Sequence, residues 1–122
     1  MATIAPDEGS REVASPEDDV VVSIGDVGGH LRIAVTGELD IVGAQVLRIV
    51  AEPRVVRSRR RHVVIDVERV SFCDVAGLTA LLSLRDVAVA NGCEVRLRRP
   101  SARLRWLMAV TGATAAFSVS AC

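Results

Sequence analysis

From Val20 onward, apolar and polar residues follow a readable order. Val20 to Ile24 is a short apolar run, and Asp26 to Gly29 supplies a turn with two glycines available for positive φ. Leu31, Ile33 and Val35 then alternate with Arg32, Ala34 and Thr36. A period of two with one apolar face predicts a β-hairpin. The period changes in "ELDIVGAQVLRIVAEP", where Ala44, Leu47 and Ala51 share one helical face. Asp40 is placed to cap that helix, and Pro53 predicts its end. "HVVIDV", His62 to Val67, is an almost unbroken apolar run and predicts an interior strand, with Asp66 near its end as a hydrogen-bonded structural acid. A second helix is expected to run to about Ala90, with Leu78, Leu81, Leu82 and Val89 on one face. Arg85 falls inside that stripe, so its stem is expected to pack while the guanidinium reaches water. Asn91-Gly92 closes this helix. Val95 and Leu97 alternate with Arg96 and Arg98 as a further strand. Ser101 caps a helix over Ala102 to Val110 with Gly112 as its stop, and "AAFSVS" is a last short strand. The order β-β-α-β-α-β-α-β predicts a single α/β domain with right-handed crossovers. Part of its sheet is parallel, and the first hairpin adds an antiparallel part.

Before Val20 the pattern disappears. Residues 1–19 mix Pro, Gly and Ser with Asp7, Glu8, Glu12, Glu17, Asp18 and Asp19 against Arg11 alone. Such a segment buries too little apolar surface to offset its ordering entropy, so a disordered acidic tail is expected, with the folded domain over residues 20–122. The whole chain has no net charge, so the remainder is correspondingly rich in arginine. There is no lysine. Arg54, Arg57, Arg59, Arg60 and Arg61 form the densest charge cluster. A solvated loop is the plain reading. The sharper one is attraction to phosphates, to the acidic tail or to an acidic partner.

Composition removes several function classes. Phe72, Trp106 and Phe117 are the only aromatics, too few for base-stacking platforms, which disfavours a nucleic-acid partner. No apolar run approaches a membrane span, and the acidic N-terminus does not resemble a signal peptide. Cys73, Cys93 and Cys122 have neither metal nor CxxC spacing, and an odd count without a secretory signal predicts a reducing, cytoplasmic setting. No P-loop, GxSxG element or metal constellation is present, and His30 and His62 lack a nucleophile beside them in the sequence. An enzyme is not expected, and no cofactor or metal is implied.

The candidate chemistry sits in "SFCDVAGLTALL", Ser71 to Leu82. Asp74 precedes a helix, where its carboxylate can accept the amide N–H of Ala76 or Gly77 and complement the helix dipole. Such a cap contributes about 1 kcal/mol. Cys73 reads as a buried small hydrophobe; the sharper reading is a redox-sensing thiol whose pKa the helix N-terminus could lower, although the neighbouring carboxylate pushes the other way. Glu38 and Asp40 lie at the end of a strand and the start of a helix and could border the same surface.

"TGELD", "HVVIDVERVSFCDVAGLTALL" and "GCEVRLRRPSARLRWLMAVTGATAAFSV" together resemble the STAS domain, and more closely the bacterial anti-sigma factor antagonists. The resemblance spans about Val20 to Val119. It implies a small mixed sheet flanked by helices. It also implies a partner, a kinase-like anti-sigma factor whose capture frees a sigma factor. Taken with the position of Glu38 and Asp40 beside the corner, partner contact is expected at Glu38, Asp40, Asp74, Val75, Ala76 and Gly77. In the family a Ser or Thr directly after the Asp is phosphorylated to switch binding off. Here that position is Val75 and the next is Ala76, which removes the usual phosphoacceptor. Of the nearby hydroxyls Ser71, Thr79 and Ser83, Thr79 in the first turn is the best substitute, although an isolated helical hydroxyl is the plain reading. Two other readings stay open: a STAS scaffold subunit of a regulatory assembly, and a module holding an anion or nucleotide at the helix N-terminus. The family commonly adds a helix after the last strand, so an uncovered apolar face and a homodimer are further expectations.

Overall fold

The computed structural model describes residues 20–120, with side chains described as far as Phe117. The acidic tail expected over residues 1–19 lies outside the described residues. Five strands, β1 (Val20–Val27), β2 (His30–Leu39), β3 (His62–Cys73), β4 (Glu94–Arg98) and β5 (Ser118–Ser120), form one sheet in their sequence order. β1 is antiparallel to β2, and the pairs β2–β3, β3–β4 and β4–β5 are parallel. Helices α1 (Ile41–Arg57), α2 (Val75–Ala90) and α3 (Ala102–Thr111) make the three crossovers.

Strand order explains where the helices go. Each crossover advances one strand in the same direction, and right-handed connections then place all three helices on one face. The inward residues of every central strand are buried against them: Val22 and Ile24, Leu31 and Ile33, Val63 and Ile65, Val95 and Leu97. Their alternates, such as Ser23, Ala34 and Val64, are only half-buried on the opposite face. The helices expected to flank the sheet therefore form a single layer, and among the described residues no helix covers the second face.

That second face carries one deeply buried acid. Asp66 is 4% exposed. It accepts Arg32 Nη2 at 2.7 Å from β2, Arg98 Nη1 at 2.8 Å from β4, and the Glu68 amide at 3.0 Å. Burial pushes its carboxyl up, but the Glu68 amide and the two guanidiniums outweigh burial and hold it below its ordinary value. It lies in the middle of β3, because that strand runs on to Cys73 and does not stop at Val67. The structural role expected of Asp66 is what the geometry provides: it fastens three strands across the unprotected face.

Two helix expectations need correction. Pro53 does not end α1, which continues to Arg57. The proline is exposed, where its missing N–H costs least, and the next turn buries Val55 completely. Asn91 Nδ2 then donates to the Val55 carbonyl at 3.0 Å, which also accepts the Ser58 amide at 3.2 Å, so the helix end is satisfied twice. On α2, Val89 is exposed, while Ala80, Leu84 and Ala88 are buried with Leu78 and Leu81. The inward stripe is therefore one position away from the one read through Val89. Arg85 behaves as expected: it is partly buried, with Nε donating to the Ala116 carbonyl at 3.0 Å.

Asp66→Ala should lower stability by about 3 kcal/mol, because it leaves two guanidiniums without their shared acceptor. Urea unfolding at neutral pH checks this. The folded carboxyl titrates below its ordinary value of 3.8, so its stabilisation is complete above that value and is lost as pH falls through the folded one. The acid limb of the wild-type stability curve should therefore be steeper than that of Asp66→Asn.

Candidate functional site: two capped helix starts

The C-terminal ends of β2 and β3 lie side by side, with Glu38 opposite Phe72 and Leu39 opposite Cys73. Each strand turns directly into a helix. Asp40 caps α1 and accepts the Gly43 amide at 2.8 Å. Asp74 caps α2 and accepts the Gly77 amide at 3.0 Å. The Asp74 amide itself donates to the Leu39 carbonyl at 3.3 Å, tying one corner to the other. Both helix starts read Asp-x-x-Gly, as Asp40-Ile41-Val42-Gly43 and Asp74-Val75-Ala76-Gly77. This internal repetition was readable in the sequence, yet neither periodicity nor family likeness drew attention to it.

The glycines are required by contact distance and not by backbone angle. A Cβ on Gly43 would collide with the Glu38 carbonyl oxygen. A Cβ on Gly77 would collide with the Leu39 carbonyl oxygen and lie 2.7 Å from Leu39 Cβ and 2.8 Å from Cys73 Sγ. Backbones approach this closely only where no side chain intervenes. Gly77 is buried, so its part is to admit that approach and not to offer a surface.

The positions directly after each cap face outward. Ile41 is 65% exposed, Val42 50% and Val75 59%, and Phe72 stands exposed at the end of β3. Ala76 is half-buried against the core. The rim is acidic, with Glu38 exposed and the Asp40 and Asp74 residues half-buried. The corner is thus a small aliphatic patch between carboxylates. Ile41, Val42 and Phe72 were not singled out from the sequence. Their signal was available: large apolar residues that fit neither the inward helical stripe nor the inward strand alternation.

Thr79 is exposed one turn into α2, and its hydroxyl donates to the Val75 carbonyl at 2.7 Å. The oxygen is turned back onto its own helix. Cys73 is buried, and burial, with the Asp74 carboxylate adding to it, pushes its thiol up to about 11 despite an opposing contribution from Arg103. Its Sγ lies 3.5 Å from the Asp74 carbonyl, which accepts from the thiol. The small-hydrophobe reading accounts for this residue, and a reactive thiolate does not.

Residues 22–117 match the family profile described as "Mlab, STAS domain". This chain belongs to the STAS domain family. Among solved structures, an anti-sigma factor antagonist from Mycobacterium paratuberculosis superposes with a TM-score of 0.74 at 24% identity, covering 90% of this chain and 92% of that one. The anti-sigma factor antagonist SpoIIAA in its unphosphorylated form gives a TM-score of 0.69 at 20% identity over 82% of this chain and 88% of its own. The Bacillus cell fate determinant SpoIIAA in its phosphorylated form gives 0.64 at 20% identity, covering 82% and 91%. At these identities the likeness establishes a shared fold. No curated protein matched the sequence. Among the described residues there is no group of His, Cys, Asp and Glu arranged to hold a metal, and no helix is long and apolar enough to cross a membrane.

Gly77→Ala should cost about 2–4 kcal/mol in this STAS domain, because backbone must move to admit the methyl group. Asp74→Ala should cost only about 1 kcal/mol, the usual value of a lost cap. Thermal or urea denaturation of the two variants compares them directly. Cys73 should resist alkylation at pH 8 in the folded protein and react once urea unfolds it.

Proposed function

We propose that this STAS domain is an anti-sigma factor antagonist-like regulator. It binds a kinase-like anti-sigma factor through the paired corner and thereby releases that factor's sigma factor. The observation that carries the reading is the corner itself. Two capped helix starts are fixed side by side, with Ile41, Val42 and Val75 outward and acids on the rim. Buried apolar contacts would supply affinity, and the rim carboxylates would favour a basic partner surface.

The same geometry supports a constitutive form of this activity. Phosphate directly after the Asp74 cap would add about two negative charges beside an existing carboxylate, altering any docking surface there. Val75 offers no acceptor oxygen, and the Thr79 hydroxyl is engaged with the Val75 carbonyl. Binding through the corner would then be set by how much of each protein is present, not by covalent state. A nucleotide or free anion at this corner is less well served. Asp40 and Asp74 already occupy the Gly43 and Gly77 amides and repel a second anion.

Incubation with the cognate kinase-like anti-sigma factor and ATP should leave the wild-type chain unmodified by mass spectrometry. Stoichiometric phosphate on Thr79 would remove the proposal that the switch is missing. In pull-down or calorimetry with the same protein, Val75→Asp should weaken binding by about tenfold or more, since a buried unpaired carboxylate costs at least 1.4 kcal/mol. Wild-type affinity for Val75→Asp would place the partner elsewhere on the domain.

A further inference from the structure

The pole of the domain opposite the capped corner is rich in arginine. α1 begins at the corner with Ile41 and ends at Arg57, so the two poles lie about 24 Å apart at the ordinary helical rise. Beyond α1 the chain passes through Ser58, Arg59 and Arg60 before β3 begins at His62. This connection, the last turn of α1 and the end of β1 enclose a depression with a volume of about 520 Å³. Asp26, Arg54, Arg57, Ser58, Arg59 and Arg60 line it, over buried Leu31. Ser58 Oγ accepts the Arg60 amide at 3.1 Å and closes the turn that carries Arg59 and Arg60.

Charge in the depression is one-sided. Asp26 is its one acid, and it is matched to Arg60 Nε at 3.4 Å. Arg57 and Arg59 make no ion pair among the described residues. Neighbouring acids do not offset them. Glu52, further back on α1, accepts the Ser83 hydroxyl at 2.9 Å and lies 3.5 Å from Arg48. Glu94 is in register with His62, while Leu31 is in register with Val63 and Val95, so Glu94 belongs to the opposite alternation, on the open face of the sheet. The carbonyl end of α1 contributes about half a negative charge. Asn91 Nδ2 donates to the Val55 and Val56 carbonyls there, at 3.0 and 3.4 Å. With Arg60 matched to Asp26, Arg57 and Arg59 outweigh that half charge, and the depression keeps a positive excess.

The lining also limits what fills it. A guanidinium fork binds phosphate oxygens two at a time. Guanidiniums spread around one depression suit several linked phosphates better than a single one. No aromatic side chain lines it, so a nucleoside base has nothing to stack on. We propose that this pole is a polyphosphate site, which holds a chain of two or three linked phosphates, free or as the tail of a nucleotide. Arg57 and Arg59 grip the chain, and Arg60 joins them as it leaves Asp26. The site is a helix length from Val75, so it fills while the corner stays open, and it does not depend on the role proposed for the corner.

Calorimetric titration of the full chain at about 0.05 M salt tests this, with tripolyphosphate, orthophosphate and ATP as titrants. Tripolyphosphate should bind in equimolar amount. ATP should match its affinity within about tenfold, since only phosphates are held, and orthophosphate should bind about tenfold more weakly or worse. Arg57→Gln/Arg59→Gln should weaken tripolyphosphate binding by about tenfold or more. Arg69→Gln/Arg96→Gln removes the same charge from the open sheet face and should change the affinity by less than about twofold. Asp26→Asn releases Arg60 and should tighten binding by about threefold, a gain that an unfolded variant does not show. Equal losses in the two double variants reduce the effect to overall charge and overturn the proposal. Orthophosphate bound as tightly as tripolyphosphate overturns it, as does ATP bound more than about tenfold more tightly. So does Asp26→Asn binding no better than wild type, or an intact chain that binds no tripolyphosphate.

Discussion

Everything at the candidate site depends on how closely two strand ends approach two helix starts. At Gly43 and Gly77 the distance to the neighbouring main chain is too short for any Cβ. This contact fixes the direction in which each helix leaves the sheet. Two positions before each glycine, Ile41 and Val75 face away from the core and into solvent. Asp40 and Asp74 then satisfy amides that the helices cannot satisfy internally. The outward aliphatic patch is thus a by-product of tight packing underneath it. Large apolar residues, Ile41, Val42, Phe72 and Val75, stand exposed at both corners.

Much of the fold was legible in local pattern. The alternation of Leu31, Ile33 and Val35 fixed the inward face of β2, and the caps at Asp40, Asp74 and Ser101 all hold an amide three residues on. Pattern failed where a distant contact decided the outcome. Pro53 reads as a stop, yet burial of Val55 and the Asn91 side chain carry α1 past it. Val89 reads as inward because it falls on the helical face of Leu78, Leu81 and Leu82, yet Leu84 and Ala88 occupy the actual seam. β3 extends beyond Val67 because Arg69, Val70, Phe72 and Cys73 keep pairing with β2, through a register shift that no local rule marks.

The site was legible only in part. Family likeness pointed to Asp74 and Val75, and the cap chemistry of Asp74 followed from position alone. Position also suggested that Glu38 and Asp40 border the same surface, and what escaped was the outward apolar residues between the corners. Ile41 and Val42 look like ordinary helix residues until the sheet brings Leu39 beside Cys73. The ion cluster at Asp66 was equally hidden, since Arg32 and Arg98 lie on different strands and meet only through tertiary structure.

The bond from Asn91 to the Val55 carbonyl has a mechanical consequence. It joins the trailing ends of α1 and α2, while the Asp74 amide and the Leu39 carbonyl join the elements at their leading ends. The two helices are therefore tied to each other at both ends. Under the proposed function, a partner docking at the leading ends of the two helices meets a surface tied down beforehand, so binding there forfeits little conformational freedom.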